Sequence, residues 1–263
     1  MIKKGIILAG GKATRLYPAT KVISKQLLPI YDKPLIFYSL STLMQLKIRN
    51  IAIIVTPDQI KNFKAILGNG SQWGIKIEYI IQNTPEGIAQ AYILAEEFID
   101  KQPSVLILGD NIFYGNNVNF LNHVNFKSTK SSKIFLYRVS NPNRYGLAKF
   151  KKNNKLEKIF EKPKKIYSNY AVTGLYMFDK DAPKFAKRLK KSKRGEFEIT
   201  SLINIYIKKN KLKYQILDKG VAWLDTGTYN SMLDASNFVK TIQTRQGTLI
   251  GSPDEIAKYN YWI

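Results

Sequence analysis

The chain has no cysteine and a single histidine among 263 residues. The missing cysteine excludes disulfides, thiolate metal sites and a thiol nucleophile, and it fits a reducing cytoplasm. His123 sits in an Asn/Phe-rich stretch and reads as an ordinary surface or packing residue. Acidic residues are also scarce, 19 against 42 Lys and Arg, which leaves a net charge of +23. No apolar run approaches the roughly 20 residues needed to cross a bilayer. The apolar start over 5–9 is too short for a signal peptide and runs into Gly10-Gly11-Lys12 without a small-residue cleavage site. It reads as a first buried strand. Linker-like stretches, internal repeats and low-complexity tracts are missing too, so the length fits a single domain over 1–263, either one large domain or one with an elaborated second lobe.

The positive charge invites a nucleic-acid reading, because basic proteins gain affinity by displacing counterions from phosphates. The distribution argues against it. Of the basic residues 35 are Lys and only 7 Arg, and the lysines are scattered through every segment, with Asn and Ile also abundant. They read as solvated surface charge compatible with weak, incidental polyanion binding. No specific nucleic-acid or membrane partner is expected.

What is present is a βαβ rhythm. Apolar runs rich in β-branched residues recur at 5–9, 51–56, 75–81, 105–108 and 134–139, with helical patterns over 35–46, 59–67 and 87–99. The last helix is expected to open after Thr84-Pro85-Glu86, which offers a cap and a negative first turn. The fold class is therefore α/β, with a mainly parallel central sheet flanked by helices. After about residue 140 the pattern changes to short strands at 146–151, 156–162 and 170–178, with helices at 181–189 and 197–208. A strand at 214–217, a turn at 222–228, a long helix to about Arg245 and a short one from Pro253 complete the chain. The division expected is a first half over 1–140, a second half inserted over 141–228 that should build an acceptor pocket, and a helical tail over 229–263.

In such sheets ligands bind beyond the carboxyl ends of the strands. Strand one runs into Gly10-Gly11-Lys12-Ala13-Thr14-Arg15-Leu16, and the strand at 105–108 runs into Gly109-Asp110-Asn111. A glycine pair after a buried strand lets backbone N–H groups approach an anion, and Lys12, Arg15 and Lys25 bring cations to the same neighbourhood. The spacing is neither a Walker A loop nor a Gly-x-Gly-x-x-Gly fingerprint. Alone, the glycines could be a structural tight turn. Asp110 and Asp225 each end a strand-like run beside a turn. Together they suit a magnesium ion, which takes one or two carboxylates and completes its shell with phosphate and water. Singly, each could equally cap a helix or brace a turn.

Leu8-Ala9-Gly10-Gly11-x-x-Thr14-Arg15-Leu16-x-Pro18-x-Thr20 followed by Ser24-Lys25-Gln26-Leu27-Leu28-Pro29 resembles the signature of glucose-1-phosphate thymidylyltransferases, within the sugar nucleotidylyltransferase superfamily. The resemblance continues in order through Tyr31-Asp32-Lys33-Pro34, Gly87-Ile88-Ala89-Gln90-Ala91, Leu108-Gly109-Asp110-Asn111, Arg144-Tyr145-Gly146, Glu161-Lys162-Pro163, the run from Ser168 to Tyr176, Arg194-Gly195-Glu196-x-Glu198-Ile199-Thr200 and Trp223-Leu224-Asp225-Thr226-Gly227-Thr228. It implies a Rossmann-like nucleotidyltransferase fold with an inserted sugar-binding lobe, dTTP and α-D-glucose 1-phosphate as substrates, Mg²⁺ as cofactor, and a homotetramer.

The resemblance also implies residue roles. Asp110 and Asp225 would hold the metal. Arg15 and Lys25 would hold the triphosphate, with Leu8, Gly10, Gly11 and Thr14 around it. Gln82 and the backbone at Gly87 would read the pyrimidine edge, and Gln26 the deoxyribose. Lys162 would grip the sugar phosphate and Glu161 would accept sugar hydroxyl protons, while Tyr145, Gly146, Asn111, Val172 and Trp223 wall the sugar pocket. The chemistry agrees. Attack of an already anionic phosphate on the α-phosphorus calls for alignment and charge neutralisation rather than a general base or a Ser nucleophile.

Two departures stand out. Ala13 replaces a usual glycine, which costs roughly 1–2 kcal/mol if the loop needs positive φ. Longer relatives continue past Trp262-Ile263, from which weak inhibition by dTDP-rhamnose is expected. Two alternatives are a uridylyltransferase or pyrimidine-promiscuous enzyme, since one methyl and one hydroxyl separate dTTP from UTP, and a noncatalytic polyanion-binding protein.

Overall fold

Ile and Val dominate the first strands because a strand covered on both faces has no polar side to present. The computed structural model describes residues 2–11, 13–115 and 132–263; Lys12 and His123 fall outside them. The strands are β1 (Lys4–Leu8), β2 (Pro29–Ile30), β3 (Lys33–Pro34), β4 (Asn50–Val55), β5 (Lys76–Ile81), β6 (Ser104–Leu108), β7 (Asn111–Gly115), β8 (Ser132–Arg138), β9 (Gly146–Phe150), β10 (Leu156–Glu161), β11 (Tyr170–Phe178), β12 (Leu212–Ile216) and β13 (Val221–Asp225). The helices are α1 (Ile36–Gln45), α2 (Ile60–Leu67), α3 (Gln90–Leu94), α4 (Glu96–Ile99), α5 (Ala182–Ala186), α6 (Ile199–Lys208), α7 (Tyr229–Gln246) and α8 (Pro253–Tyr259). The fold is α/β, and the chain divides into two compact units, one chain boundary between them falling inside β6.

Among the described residues the first unit comprises 3–11, 13–85, 107–115 and 220–263. Here β1, β4 and β5 pair in parallel, with Ile6 opposite Ala52 and Ile53 opposite Tyr79. Ile6, Ile7 and the whole of β4 after Asn50 are buried. β7 and β13 form a separate antiparallel pair that sets Asp225 opposite Asn111. α7 starts on a reciprocal cap between Thr228 and Ser231 and stops at Gly247 in a left-handed conformation, the usual glycine helix end. It buries Ala235 and Val239 against Ile30, Leu35, Tyr38, Ile112 and Ile250. Full burial of one such aliphatic side chain contributes about 1.5–3 kcal/mol.

Among the described residues the second unit comprises 86–106 and 132–219, with Ile2. β8 lies between β11, antiparallel, and β12, parallel. β9 pairs β10 antiparallel. β11 is buried at every position after Tyr170. Beside it Phe178, Tyr92, Phe185 and Tyr206 form edge-on and tilted ring contacts, and the Tyr206 hydroxyl donates to Asp179 at 2.6 Å. That hydrogen bond satisfies the polar end of a ring otherwise surrounded by apolar atoms.

Several local expectations change. The helix expected over 87–99 is two pieces, α3 and α4, broken at Ala95, and Glu86 is not in its first turn. Gly87 has φ +104, and a Cβ there would lie 2.6 Å from the Phe197 carbonyl oxygen. The Glu86 carbonyl accepts from the Phe197 N–H at 2.6 Å. Pairing with residue 197, completed by the Ala89 N–H donating to the Phe197 carbonyl at 3.0 Å, thus keeps 86–89 out of a helix that the local sequence favours. The turn expected at 222–228 is mostly β13, and only its partner strand β7 makes it one. The strand expected at 214–217 runs from Leu212 to Ile216, and the helices at 181–189 and 197–208 shrink to α5 and α6.

Ala13 has φ 47 and ψ 40, the left-handed region. The cost weighed for this departure is therefore incurred. Ala13→Gly is expected to raise stability by about 0.5–1 kcal/mol, the strain relieved less the chain entropy a glycine adds. Urea unfolding of the two proteins checks this; an unchanged or lower midpoint would mean the loop relaxes without cost.

Candidate active site

The carboxyl edge of β1, β4 and β5 gathers the glycine segment and Gln82. The Leu8 carbonyl accepts from Gly109 N–H at 2.9 Å, and Ala9 N–H donates to Ile54 at 2.8 Å, so both flanks of the strand end are tied. Gln82 is buried directly after β5, and a Cβ on Gly10 would fall 1.9 Å from its Oε1. Only glycine lets that amide lie on the main chain. Around Gly11 nothing lies within 4 Å of where a Cβ would be, which leaves its face open. Thr14 and Arg15 are exposed on the following turn, and the buried Thr20 hydroxyl donates to the Ala13 carbonyl at 2.9 Å, bracing it. A cleft of about 240 Å³ opens here, lined by Gly11, Thr20, Ser24, Lys25, Gln59 and Pro85 among others.

Lys25 is buried and pairs with Asp110 Oδ2. Asp110 Oδ1 accepts from Asn111 Nδ2 at 2.8 Å, and Asn111 Oδ1 accepts from Trp223 Nε1 at 2.6 Å. Burial alone would raise the Asp110 pKa, but the Lys25 charge and the hydrogen bonds from Lys25 and Asn111 outweigh it, and the net direction is down. The carboxylate stays ionised. Thr226 donates to the Asp110 carbonyl from its hydroxyl at 3.0 Å and its N–H at 3.3 Å. Asp225, one residue earlier, and Arg15 flank Gly227, whose Cβ position lies 3.6 Å from Asp225 Oδ2 and 3.3 Å from Arg15 Nη2. Gln26 packs its Cγ against Gly109, and its Oε1 accepts from the Ser24 hydroxyl at 2.6 Å.

The second unit carries its own cluster. Glu161 ends β10 opposite Gly146, and the Lys162 N–H donates to the Tyr145 carbonyl at 3.1 Å. Lys162 has φ 38, a strained conformation for lysine. Its Nζ lies 3.8 Å from Glu161 Oε1, and Arg194 Nη1 lies 3.4 Å from the same oxygen and 3.5 Å from Glu198. Val172 is buried in β11 beside a register shift, and Arg144 sits over the Tyr145 ring at 5.7 Å. Burial first, then the charge of Glu198, raises the Glu161 pKa against the opposing pull of Lys162, Thr200 and Arg194.

A glycine-rich strand end, a guanidinium and two carboxylates at the end of a strand pair are groups that could hold a polyphosphate with a cation. The Nucleotidyl transferase family model matches residues 4–242. The chain belongs to that family. Within it, the chain groups with the glucose-1-phosphate thymidylyltransferases. A protein of that name from Xanthomonas campestris is 49% identical over 261 residues, 99% of this chain and 88% of its own. One from Neisseria meningitidis is 48% identical over 260 residues, 99% and 90% of the two chains. A Bacillus anthracis structure described as a glucose-1-phosphate thymidylyltransferase, in complex with sucrose, superposes with a TM-score of 0.82 at 39% identity, covering 89% of this chain and 94% of that one. A UDP-glucose pyrophosphorylase complexed with UDP-glucose shares the fold, with a TM-score of 0.80 at 23% identity over 92% and 99% of the chains.

Family members generally use a divalent metal. Among the described residues no three or more His, Cys, Asp or Glu side chains converge into a metal-holding group. Asp110 and Asp225 supply two carboxylates, a donor set that fits a hard cation sharing its shell with phosphate and water. Leu8, Gly10, Gly11, Thr14, Arg15, Lys25, Gln26, Gln82, Asp110 and Asp225 all fall in the first unit. So do Asn111 and Trp223, expected as sugar-pocket walls, whose side chains are engaged with Asp110 and with each other. Gly87 falls in the second unit, as do Tyr145, Gly146, Glu161, Lys162 and Val172. Sequence reading gave no role to Gln59, Thr20, Thr226 or Glu198. Gln59 and Thr226 act through partners 35 and 116 residues away, Ser24 and Asp110, which no local pattern marks; Thr20 and Glu198 stood in recognised motifs without a role assigned to them.

The raised Glu161 carboxyl makes a pH prediction. A carboxylate whose folded pKa is raised binds more protons folded than unfolded, so its penalty is full at neutral pH and vanishes as pH falls below the unfolded value of about 4.3. Glu161→Gln is expected to melt higher than the parent at pH 7, with the two curves converging near that value. Thermal melts across pH check this; a variant that melts lower at pH 7 would show that Arg194 and Lys162 outweigh the burial.

Proposed function

We propose that the chain transfers a thymidylyl group from dTTP to α-D-glucose 1-phosphate, giving dTDP-glucose and pyrophosphate, as a cytoplasmic homotetramer. The observation that carries the reading is the Lys25–Asp110 pair at the edge that also bears Gly11, Arg15 and Asp225. It supports this reaction because phosphoryl-type transfer asks mainly for positioning and charge neutralisation. A sugar-phosphate oxygen forms a bond to the α-phosphorus as the α–β bridging bond breaks, and the electron pair leaves on pyrophosphate.

Arg15 holds the triphosphate and steadies the charge on the leaving group, a task suited to a fixed donor fork. Lys25 shares it. Leu8, Gly10, Gly11 and Thr14 shape the phosphate edge, Gln82 and Gly87 read the pyrimidine, and Gln26 contacts the deoxyribose. Lys162 grips the sugar phosphate. Glu161, kept partly neutralised by Arg194 and Lys162, accepts from sugar hydroxyls, with Tyr145, Gly146, Val172, Asn111 and Trp223 around them. Asp110 and Asp225 would hold Mg²⁺, which when bound polarises the α-phosphate.

A pyrophosphate-release assay crossing dTTP and UTP with several sugar 1-phosphates in Mg²⁺ tests the reading. The dTTP and glucose 1-phosphate pair is expected to give the highest kcat/KM; equal or better turnover with UTP would move the enzyme to the uridylyl side. Asp225→Asn is expected to lower kcat/KM by about 10²-fold or more while leaving the melting temperature nearly unchanged. Asp110→Asn should cost stability as well, because it strands a buried lysine. Asp225→Asn activity near wild type at limiting Mg²⁺ would remove that carboxylate from the metal site.

A further inference from the structure

Between the Arg15 turn and Lys25 the chain runs through an exposed stretch; Val22 is 81% exposed. The buried amide of Gln59 clamps its far end. Gln59 Oε1 accepts from the Ser24 N–H at 2.9 Å and from Asn62 Nδ2 at 3.2 Å. Its Nε2 donates to the Val22 carbonyl at 3.3 Å and to Asp58 Oδ2 at 2.8 Å. A side-chain amide has two donors and two acceptor sites, and all four are used. The amide thus grips the main chain at residues 22 and 24 from one side, as a neighbouring strand grips alternate residues. Asp58 fixes which way round it sits. An ionised carboxylate only accepts, and the hydrogen bond from Gln59 is the largest of the causes that lower its pKa.

Gln59 is itself anchored. Its N–H donates to the Thr56 carbonyl at 3.1 Å, just past β4, and its carbonyl accepts from Phe63 N–H at 3.2 Å, in α2. Although it stands at the N-terminus of α2, its side chain makes no capping hydrogen bond there. The amide serves the loop instead. The next residue after Ser24 is Lys25, and the Ser24 hydroxyl also holds Gln26.

We propose that Gln59 is a positioning residue for nucleotidyl transfer: it transmits the geometry of the β4 edge to Lys25 and so sets the lysine against Asp110. This rests on the reaction proposed above. Displacement of an aligned group by about 1 Å can cost on the order of 10²-fold in rate. Gln59→Leu, similar in size and lacking all four hydrogen bonds, is expected to lower kcat by about 10–10²-fold while the KM for glucose 1-phosphate stays within about twofold.

The deciding measurement is a double-mutant cycle with Lys25→Met. If Gln59 acts through Lys25, the double variant is no slower than Lys25→Met alone; a multiplied loss would overturn the proposal, as would a folded Gln59→Leu protein with unchanged kcat. Gln59→Glu, which keeps the acceptor for Ser24 but sets a charge against Asp58, should fall with Gln59→Leu and serves if the leucine variant does not fold. Limited trypsin digestion reads the clamp without turnover: cleavage at Lys21 should quicken in Gln59→Leu, and an unchanged rate would count against the clamp. Wild-type inactivity with dTTP would sink the reaction reading separately and leave the trypsin result to judge the clamp.

Discussion

The ion pair between Lys25 and Asp110 sets the terms for the site around it. The lysine side chain is 9% exposed and the aspartate 25%. Removing such charges from water costs several kcal/mol per ion, recovered only where the geometry is good and the remaining lone pairs are satisfied. Asp110 meets that condition with Asn111 on its second oxygen and Thr226 on its carbonyl. The arrangement holds a cation and an anion apart from bulk water at a strand edge, which is what a substrate rich in negative charge and a divalent cation would exploit. It also means that the pair cannot be edited one partner at a time without consequence for folding.

The β7/β13 ladder supplies that geometry. Antiparallel pairing fixes Asp225 opposite Asn111 and leaves Asp110 one residue beyond the strand end. Trp223, two residues before Asp225 and diagonal to Asn111 in the ladder, donates to its amide oxygen. This orients the amide so that its nitrogen meets Asp110. A partly satisfied buried network would be worse than an apolar one, so the tryptophan N–H contributes to keeping the carboxylate in place as well as filling space.

The second unit solves a different electrostatic problem. Glu161 and Glu198 approach through a shared arginine, and burial together with the charge of Glu198 makes the Glu161 carboxylate costly. Arg194, Lys162 and Thr200 hold the cost in check. Lys162 itself is held at positive φ between a strand end and Pro163, in a position where the following proline already disfavours the helical region. Strain of this kind persists only where surrounding contacts over-determine it, here the Tyr145 carbonyl and the end of β10.

Much of the fold was legible along the chain. Short apolar runs rich in β-branched residues, bounded by turn signals, point to strands, so β1, β4, β5, β6 and β8 stood out, and the glycine pair and the aspartates at strand ends followed from where such sheets bind ligands. Local sequence determined these because each depends on neighbours within a few residues. It could not determine β13, since Val221-Ala222-Trp223-Leu224-Asp225 becomes a strand only against β7. It could not foresee that residues 87–89 stay out of a helix, because the Phe197 backbone holds them, nor that Asn111 turns its amide to Asp110. Gln59 looked like the first residue of a helix and nothing more. Its amide acquires a purpose from a loop 35 residues upstream, and contacts at such separation are set by tertiary packing, which no local pattern encodes.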